Sequence, residues 1–413
     1  MNHVAKRTVA HPATVPTWTG LVVVPAVLAA LALLGGCTGA GSSAGKGRPP
    51  HEAISIVPRD DARDIGPDDR VEVRVPDGRL ESVKVVRVED ARRQEVPGRI
   101  ARDGRSWTPS KGAGRLALAA KYRVAAVAVD AAGHRAARHT TFTTMVPEHR
   151  FIGYLTPENR STVGTGMIVS LVFSRPVSNR PAVERAVRVS AEPPAEVVGH
   201  WFGDKRLDFR PAVHWAPGTE VTVGVRLRDV EGAPGVYGSQ DRTVSFRVGR
   251  SQTSLVDAAA HTMEVRRDGQ LVSTVPITAG RPGKDTYNGR MVVSEMYDVT
   301  RLKGRTAGLG GEYGIKDVPH ALRLTGSGTF LHGDYWSDRG VFGSSDVSHG
   351  SVGLRDVRGG GSGTPAGWFF DRTLVGDVIE VVNSAGKRVV APDDGLGGWN
   401  LDWARWKAGS ALR

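Results

Sequence analysis

Short runs of alternating apolar and polar residues, closed by Pro, Gly and Asp, recur along this chain from about residue 54 onward. One example is the run from Val71 to Val75, which ends at a Pro-Asp-Gly turn signal. Alternation with a period of two places every second side chain on one face of a strand, and Pro or Gly ends the strand at a turn. The 52 glycines and 24 prolines supply many such turns. The pattern predicts antiparallel sandwich modules and a mainly β fold.

The same order of features occurs twice. Trp107-x-Pro precedes two long strand-like runs, an Asp/Gly turn and a final Thr/Phe-containing strand, and Trp215-x-Pro precedes a similar series. The repeat predicts two tandem immunoglobulin-like domains, at 53–147 and 148–250, each about 100 residues long. Neither contains a cysteine, which excludes the disulfide-linked form. We expect both tryptophans to pack in cores or at strand edges, with carbohydrate binding as the alternative.

The amino terminus predicts export. Lys6 and Arg7 precede a continuous apolar run from Leu21 to Leu34, and Leu-Gly-Gly then leads to Cys37, the only cysteine. About 14 apolar residues are too few for an ordinary membrane span, which needs roughly 20, and fit a secretory signal. The L-G-G-C ending resembles a bacterial lipobox, so we expect a signal peptide at 1–36 and a lipid on Cys37. A plain signal peptide that happens to carry a cysteine is the alternative.

Composition limits the partners of the mature chain. The formal net charge of +12 falls to +10 when the expected signal peptide is removed, because that segment carries two cations and no acid. This charge favours anionic surroundings such as phosphate polymers or an acidic envelope. The cations are scattered and aromatic residues make up only 6%, so nucleic acid is not an expected partner. Residues 37–52 are rich in Gly, Ser and Pro and predict a flexible tether.

The pattern changes from about residue 253. A hairpin is predicted around Asp268-Gly269, and Thr364-Pro365 predicts the start of a short helix, with Thr as N-cap and Pro at the first helical position. The stretch GDVIEVVNS predicts a buried strand. In the tail, Trp399, Trp403 and Trp406 have the spacing of one helix face. We expect that face to pack on the parent domain, with a ligand platform as the alternative.

Two histidines and a serine form the candidate site. His332 and His349 lie close in sequence, and Ser351 follows His349 across Gly350. No HExxH pattern or carboxylate at ligand spacing accompanies the histidines, so no metal site is predicted. A glycine at position 350 lets the backbone turn and present N–H groups to a developing oxyanion. By spacing alone, a serine nucleophile with a histidine base and an ordinary turn both remain open.

The surrounding residues resemble a known family. The stretches HGDYW (332–336), FG (342–343) and SHGSVGL (348–354), with LTGSGTFLH before and LVGDVIEVVNS after, are similar to the L,D-transpeptidases of the YkuD fold, which cross-link the cell wall. The lipobox, the paired immunoglobulin-like modules and the Trp-rich tail resemble the actinobacterial members. The resemblance implies a mainly β chain: two immunoglobulin-like sandwiches, a β-rich catalytic domain at 251–385, and a Trp-rich subdomain with a small helix at 386–413.

The resemblance also implies roles for individual residues. Ser351 stands at the nucleophile position, and His349 and His332 at the two active-site histidines. The implied substrate-binding residues are Tyr313, Ser327, Gly328, Gly333 and Gly353. Two departures stand out: Ser351 replaces the cysteine of the family, and Gly353 replaces an asparagine found in many members.

The implied function is a peptidoglycan L,D-transpeptidase that forms 3→3 cross-links from tetrapeptide stems through an acyl-enzyme on Ser351. The alternatives are a weak or inactive peptidoglycan-binding pseudoenzyme and an L,D-carboxypeptidase. A serine hydroxyl is far less acidic than a thiol, so its base must be oriented by a third group. Asp346 is a candidate for that group, with an ordinary turn residue as the alternative. No cofactor is implied. The expected partners are stem peptides and carbapenem-type β-lactams, and the expected location is the outer face of the membrane and the cell wall.

Overall fold

The computed structural model describes residues 54–88, 93–302 and 315–412. The predicted signal peptide, the tether, Cys37 and Tyr313 lie outside these ranges. Strands make up 47% and helices 7% of the structure, so the mainly β fold is confirmed. No helix in the described ranges has the length and apolar character needed to cross a membrane.

The first sandwich comprises residues 54–147. A four-stranded sheet in the order β1-β3-β7-β6 faces a five-stranded sheet in the order β2-β9-β8-β4-β5. In β8 the side chains of Tyr122, Val124, Ala126 and Ala128 are all buried, as the period-two pattern predicts. Trp107 belongs to the same core. The strands are β1 (Ser55–Val57), β2 (Ala62–Ile65), β3 (Glu72–Arg74), β4 (Arg79–Val88), β5 (Arg93–Glu95), β6 (Gly98–Ile100), β7 (Ser106–Pro109), β8 (Lys121–Val129) and β9 (Arg135–Thr144).

The second sandwich comprises residues 148–250. Its two four-stranded sheets have the orders β11-β13-β16-β15 and β12-β20-β17-β14, and a small third sheet pairs β10, β19 and β18. Trp215 is buried, and its Nε1–H donates to the Met167 carbonyl at 2.7 Å. The elements are β10 (His149–Phe151), β11 (Gly153–Thr156), β12 (Thr162–Val163), β13 (Val169–Phe173), α1 (Arg180–Arg185), β14 (Val187–Glu192), β15 (Val197–Phe202), β16 (Arg206–Pro211), β17 (Glu220–Arg226), β18 (Glu231–Ala233), β19 (Val236–Gly238) and β20 (Asp241–Val248).

A nine-stranded mixed sheet follows, in the order β24-β29-β21-β22-β23-β28-β27-β26-β25. The pairs β21–β29 and β27–β28 are parallel and the other neighbours are antiparallel. The strands are β21 (Gln252–Asp257), β22 (Thr262–Arg267), β23 (Gln270–Thr278), β24 (Gly289–Val292), β25 (Glu295–Leu302), β26 (Ile315–Arg323), β27 (Phe330–Asp334), β28 (Val352–Arg355) and β29 (Val378–Val382). A one-turn 3₁₀-helix spans Arg339–Val341.

The local signals in this part of the chain are confirmed. Asp268 and Gly269 both have positive φ, at 49° and 81°, and join β22 to β23 as a two-residue hairpin turn. Helix α2 (Pro365–Phe370) begins after Thr364, whose side chain accepts a hydrogen bond from the Gly367 N–H. The five residues after Asp377 form the predicted strand, β29, and three of their side chains are buried.

The tail differs from the expected single helix face. Trp399 lies in a 3₁₀-helix (Gly397–Asn400), Leu401 is extended, and only Trp403 and Trp406 lie in α3 (Trp403–Ala408). The prediction was wrong because Asp402 caps a new helix between the tryptophans, its side chain accepting from the Arg405 N–H at 2.8 Å. The side chains of Trp399 and Trp406 nevertheless pack in the same place, the core of the second sandwich.

Candidate active site

Ser351 lies immediately before β28, at the end of the loop that contains His349. Its side chain is almost fully buried, with 6% exposed. The Phe330 backbone N–H donates to Ser351 Oγ at 3.1 Å. Because this donor occupies one lone pair, the hydroxyl proton is left to donate elsewhere. An N–H aimed at Oγ also stabilises negative charge that develops on the oxygen when the proton leaves.

His332 lies on β27, the parallel neighbour of β28. Leu331 pairs with Val352 and His332 with Gly353, and Leu331 and Val352 face the core. Ser351 and His332 therefore project from the opposite face of the sheet, on adjacent strands. With strands about 4.8 Å apart and a rise of about 3.3 Å per residue, their Cα atoms are separated by roughly 8 Å. Their side chains can meet across that distance.

The tautomer of His332 is fixed by the backbone. Its Nδ1 lies 3.1 Å from the Gly333 carbonyl, which can only accept, so Nδ1 carries the proton and Nε2 carries the lone pair. Burial lowers the pKa of His332, while the Gly333 carbonyl and the Asp334 carboxylate act in the opposite direction. A neutral imidazole with an available Nε2 is the form that a general base requires.

The loop before Ser351 is held by the segment that follows β23. The Ser348 N–H donates to the Ala279 carbonyl at 2.9 Å, and the Arg281 N–H donates to the Ser348 carbonyl at 2.8 Å. Gly350 has a φ of +107°, a backbone conformation that residues with a side chain rarely adopt. The Lys284 carbonyl would lie 3.5 Å from a Cβ at that position. The loop therefore depends on glycine at 350.

His349 stands in a cationic environment. Its pKa is lowered by burial and by the positive charges of Arg281 and Lys284. Both effects disfavour the protonated imidazole, so His349 is neutral around pH 7. The two histidines near Ser351 thus carry no positive charge in the resting site.

Asp346 has contacts with the segments that surround its own loop. Its Oδ1 accepts the Ala279 N–H at 2.9 Å and lies 3.3 Å from His261 Nε2. These contacts direct the carboxylate to the β21–β22 turn and to the end of β23. They favour the alternative interpretation of Asp346, an ordinary turn residue.

Three other predicted site residues lie at β27 or in the turn before it. Ser327 is held in the turn after β26 by Asp394, with Oγ donating to Oδ2 at 2.5 Å and the backbone N–H donating to Oδ1 at 2.8 Å. Gly328 follows with φ +110°. Gly333 has its Cα against the Asp356 carboxylate, on the core side of the sheet, and its carbonyl accepts a hydrogen bond from His332 Nδ1.

Gly353 is enclosed by its neighbours. A Cβ at this position would lie 2.8 Å from Thr278 Cγ2 and 3.3 Å from Asp334 Oδ2. Glycine is therefore required here by the side chains already present. Within the described ranges, no group of three or more His, Cys, Asp or Glu side chains is placed to hold a metal ion.

Comparison with known proteins shows the family of the chain. The family of L,D-transpeptidase catalytic domains matches residues 251–381, and the bacterial Ig domain family matches residues 62–231. L,D-transpeptidase 2 of Mycobacterium tuberculosis is 31% identical over 355 residues, which cover 85% of this chain and 83% of that protein. The chain belongs to the L,D-transpeptidase family.

Other members are also similar. L,D-transpeptidase 5 of Mycobacterium tuberculosis is 28% identical over 371 residues, covering 88% of this chain and 78% of that protein. Among solved structures, that of the LD transpeptidase LdtMt1 in complex with imipenem is 30% identical, covers 57% of this chain and 100% of that chain, and has a TM-score of 0.47.

Sequence reasoning missed two components of the site. The Phe330 N–H on Ser351 Oγ depends on the register of β27 against β28, which no local pattern gives. Asp334 lies two residues after His332 on a strand, so the period-two rule could have placed both side chains on one face. The sequence HGD contained that signal.

Proposed function

We propose that this protein is a peptidoglycan L,D-transpeptidase that forms 3→3 cross-links through an acyl-enzyme on Ser351. The observation that carries the proposal is the Ser351–His332 pair. A buried hydroxyl with one N–H donor on its oxygen lies on the same sheet face as a neutral imidazole whose Nε2 is unprotonated. This pair has the composition needed for a nucleophile and its base.

The first half-reaction forms the ester. Ser351 Oγ attacks the carbonyl of the L-to-D peptide bond of a tetrapeptide stem, and the hydroxyl proton passes to His332 Nε2. The C–N bond then breaks, the proton moves from Nε2 to the departing nitrogen, and D-alanine leaves. The backbone N–H groups near Gly350 and Ser351 are the proposed donors to the tetrahedral oxyanion.

The second half-reaction transfers the acyl group. The side-chain amine of the diamino acid in a neighbouring stem gives a proton to Nε2 and attacks the ester carbonyl. The C–Oγ bond breaks, and Oγ regains a proton from His332. His349, neutral and next to the loop amides, shares this acid–base work. Attack by water in place of the amine gives L,D-carboxypeptidase activity by the same route.

The proposed location follows from the amino terminus. A lipid on Cys37 would anchor the mature chain to the outer face of the membrane. The net charge of +10 expected for the mature chain would attract it to anionic wall polymers.

The test is an intact-mass experiment on the purified mature chain. Incubation with a tetrapeptide muropeptide should give a 3→3 dimer and free D-alanine, and a carbapenem should add its mass to Ser351. Ser351→Ala is the matched control and should abolish both. If the native chain forms neither adduct nor product while it binds muropeptides, the transpeptidase proposal fails.

The pseudoenzyme is the second candidate, favoured by the oxygen at position 351 and by the enclosed Gly353. It predicts that muropeptides bind without turnover and that Ser351→Cys creates activity absent from the native chain. Equal product from both forms would contradict it.

A further inference from the structure

Asp334 has the environment of a fixed carboxylate beside the proposed base. Its side chain is 4% exposed and lies on the same face of β27 as that of His332, two residues earlier. Oδ1 accepts the N–H groups of Trp336 and Ser337 at 3.2 and 3.0 Å, and Oδ2 accepts the Ser337 hydroxyl at 2.7 Å. Three donors on one carboxylate hold it in place.

The turn that Asp334 organises also touches the imidazole. The Trp336 ring lies nearly parallel to that of His332, with centroids 5.5 Å apart and an interplanar angle of 24°. The Trp336 N–H is one of the donors to Asp334. The carboxylate thus helps hold the indole against the imidazole and limits the orientations that the ring can adopt.

Because Gly353 has no side chain, the carboxylate of Asp334 can occupy the space next to it. Gly353 is the register partner of His332, and Asp334 Oδ2 would lie 3.3 Å from a Cβ there. The carboxylate therefore extends over the strand residue that is paired with His332. An asparagine at 353, as in many family members, would compete with Asp334 for this space.

The charges around His332 can be named element by element. On β27 there is Asp334, and on β28 Arg355 is the register partner of Asp334. On β26 Arg323 lies over the Phe330 ring, with 5.5 Å between the guanidinium carbon and the ring centroid. The Ser351 loop carries His349. Of these four groups in the described part of the chain, Asp334 is the one carboxylate. Its negative charge acts to raise the pKa of His332, whereas burial lowers it.

We propose that Asp334 is a positioning residue that supports His332 as the base for a serine nucleophile. This rests on the proposed function. A cysteine can supply its own negative charge beside the imidazolium because a thiolate exists before attack. A serine hydroxyl stays neutral until attack, when the proton from Oγ arrives at Nε2 and an imidazolium forms in a buried site. A fixed carboxylate nearby stabilises that cation, which is the task of the third group in serine sites. Asp334 acts through space, since Nδ1 is bound to the Gly333 carbonyl.

The experiment compares Asp334→Asn in two backgrounds, the native Ser351 chain and Ser351→Cys. With serine we expect kcat/KM for tetrapeptide to fall at least about thirtyfold, within the range of a general base that is poorly supported. With cysteine we expect a loss below about fivefold, because the thiolate–imidazolium pair needs less help. Asp338→Asn is the control, because it removes the charge of an exposed aspartate four residues after Asp334. It should leave kcat/KM unchanged in both backgrounds. Equal losses in both backgrounds would overturn the proposal.

A second readout does not depend on turnover. In Ser351→Ala chains, NMR titration of the His332 ring should show a lower pKa with Asp334→Asn and no change with Asp338→Asn. An unchanged pKa with Asp334→Asn would also overturn the proposal. If the native chain has no activity but this shift occurs, the proposed function fails while the coupling of Asp334 to His332 stands. Thermal unfolding of each variant separates misfolding from these effects. Asp334→Glu keeps the negative charge, so the pKa of His332 in that variant should stay close to its value with Asp334.

Discussion

At the scale of single residues, the proposed chemistry depends on how an oxygen differs from a sulfur at position 351. A free thiol has a pKa of about 8.5 and a nearby imidazole readily makes it a thiolate, whereas a hydroxyl must lose its proton during attack. Here the Phe330 N–H meets Ser351 Oγ, and the buried Asp334 lies on the same strand face as His332. Gly353 makes room for that carboxylate. The glycine at 353 thus leaves the space that the proposed role of Asp334 requires.

An asparagine at position 353 should therefore destabilise the protein. In Gly353→Asn the new Cβ would meet Thr278 Cγ2 at 2.8 Å and Asp334 Oδ2 at 3.3 Å. We expect the free energy of unfolding to fall by about 1–3 kcal/mol, as for other overpacked sites. Urea denaturation measures this, and the double variant Gly353→Asn/Asp334→Ala should recover part of the loss. An unfolding midpoint equal to that of the native chain would contradict the account.

At the scale of elements, one buried carboxylate joins three pieces of the catalytic sheet. Asp356, just after β28, accepts from His320 Nδ1 of β26 at 2.7 Å and from the hydroxyl of Thr364, the N-cap of α2, at 2.8 Å. It also accepts the N–H groups of Val357 and Gly361. These bonds fix the end of the strand that follows Ser351 and therefore the register on which the site depends.

This carboxylate should give the protein a measurable acid sensitivity. Burial acts to raise the pKa of Asp356, but the hydrogen bonds from His320, Val357 and Thr364 outweigh it and the pKa is lowered. A carboxyl whose pKa is lower in the folded than in the unfolded chain stabilises the fold at pH values above its unfolded-state pKa of about 3.9. This stabilisation is lost as the pH falls through the folded-state pKa. Asp356→Asn should therefore flatten the decline of unfolding free energy between pH 7 and pH 3.

Urea titrations at several pH values test this, with the exposed Asp371→Asn as a matched removal of charge. The Asp371→Asn chain should keep the native decline. A native-like decline in Asp356→Asn would show that the hydrogen bonds of Asp356 contribute no acid sensitivity.

At the scale of the whole molecule, the tail completes the core of the second sandwich. Trp399 Nε1–H donates to the Gly166 carbonyl at 2.7 Å and Trp406 Nε1–H to the Val198 carbonyl at 2.9 Å. The Arg210 guanidinium lies between these rings, with its central carbon 4.5 and 4.4 Å from the two centroids, and burial lowers its pKa to about 10. Because the tail follows the catalytic sheet in sequence, it fastens that sheet to the second sandwich.

Removal of one indole should destabilise the second sandwich selectively. Trp406 is fully buried, and Trp406→Ala should lower the unfolding free energy of that unit by about 3–5 kcal/mol, as for other large aromatic truncations in cores. Differential scanning calorimetry measures the shift. Trp107→Ala, in the core of the first sandwich, is the control and should affect a different transition. A loss confined to the first sandwich in Trp406→Ala would contradict this arrangement.

Local patterns predicted much of the fold. Period-two alternation gave the strands, as in β8, where every second residue is buried. The Asp268-Gly269 turn and the Thr364 N-cap are also correct, because turns and caps depend on only a few adjacent residues. The prediction of one helix face for the Trp tail was wrong. Tryptophans spaced four and three residues apart share a helix face only if one helix contains them all, and here Asp402 caps a new helix after Trp399.

The sequence by itself determined the mainly β fold, the repeated sandwiches, the short helix after Thr364 and the candidate residues Ser351, His332 and His349. Only the tertiary structure decided that Phe330 meets Ser351, that Asp346 serves its own loop, and that Asp334 fills the space above Gly353. The physical reason is the range of the interactions. Alternation, turns and caps are set by neighbours along the chain, whereas the chemistry of the site depends on the parallel register of β27 and β28, two strands 17 residues apart in sequence, and register is fixed by the packing of the whole sheet.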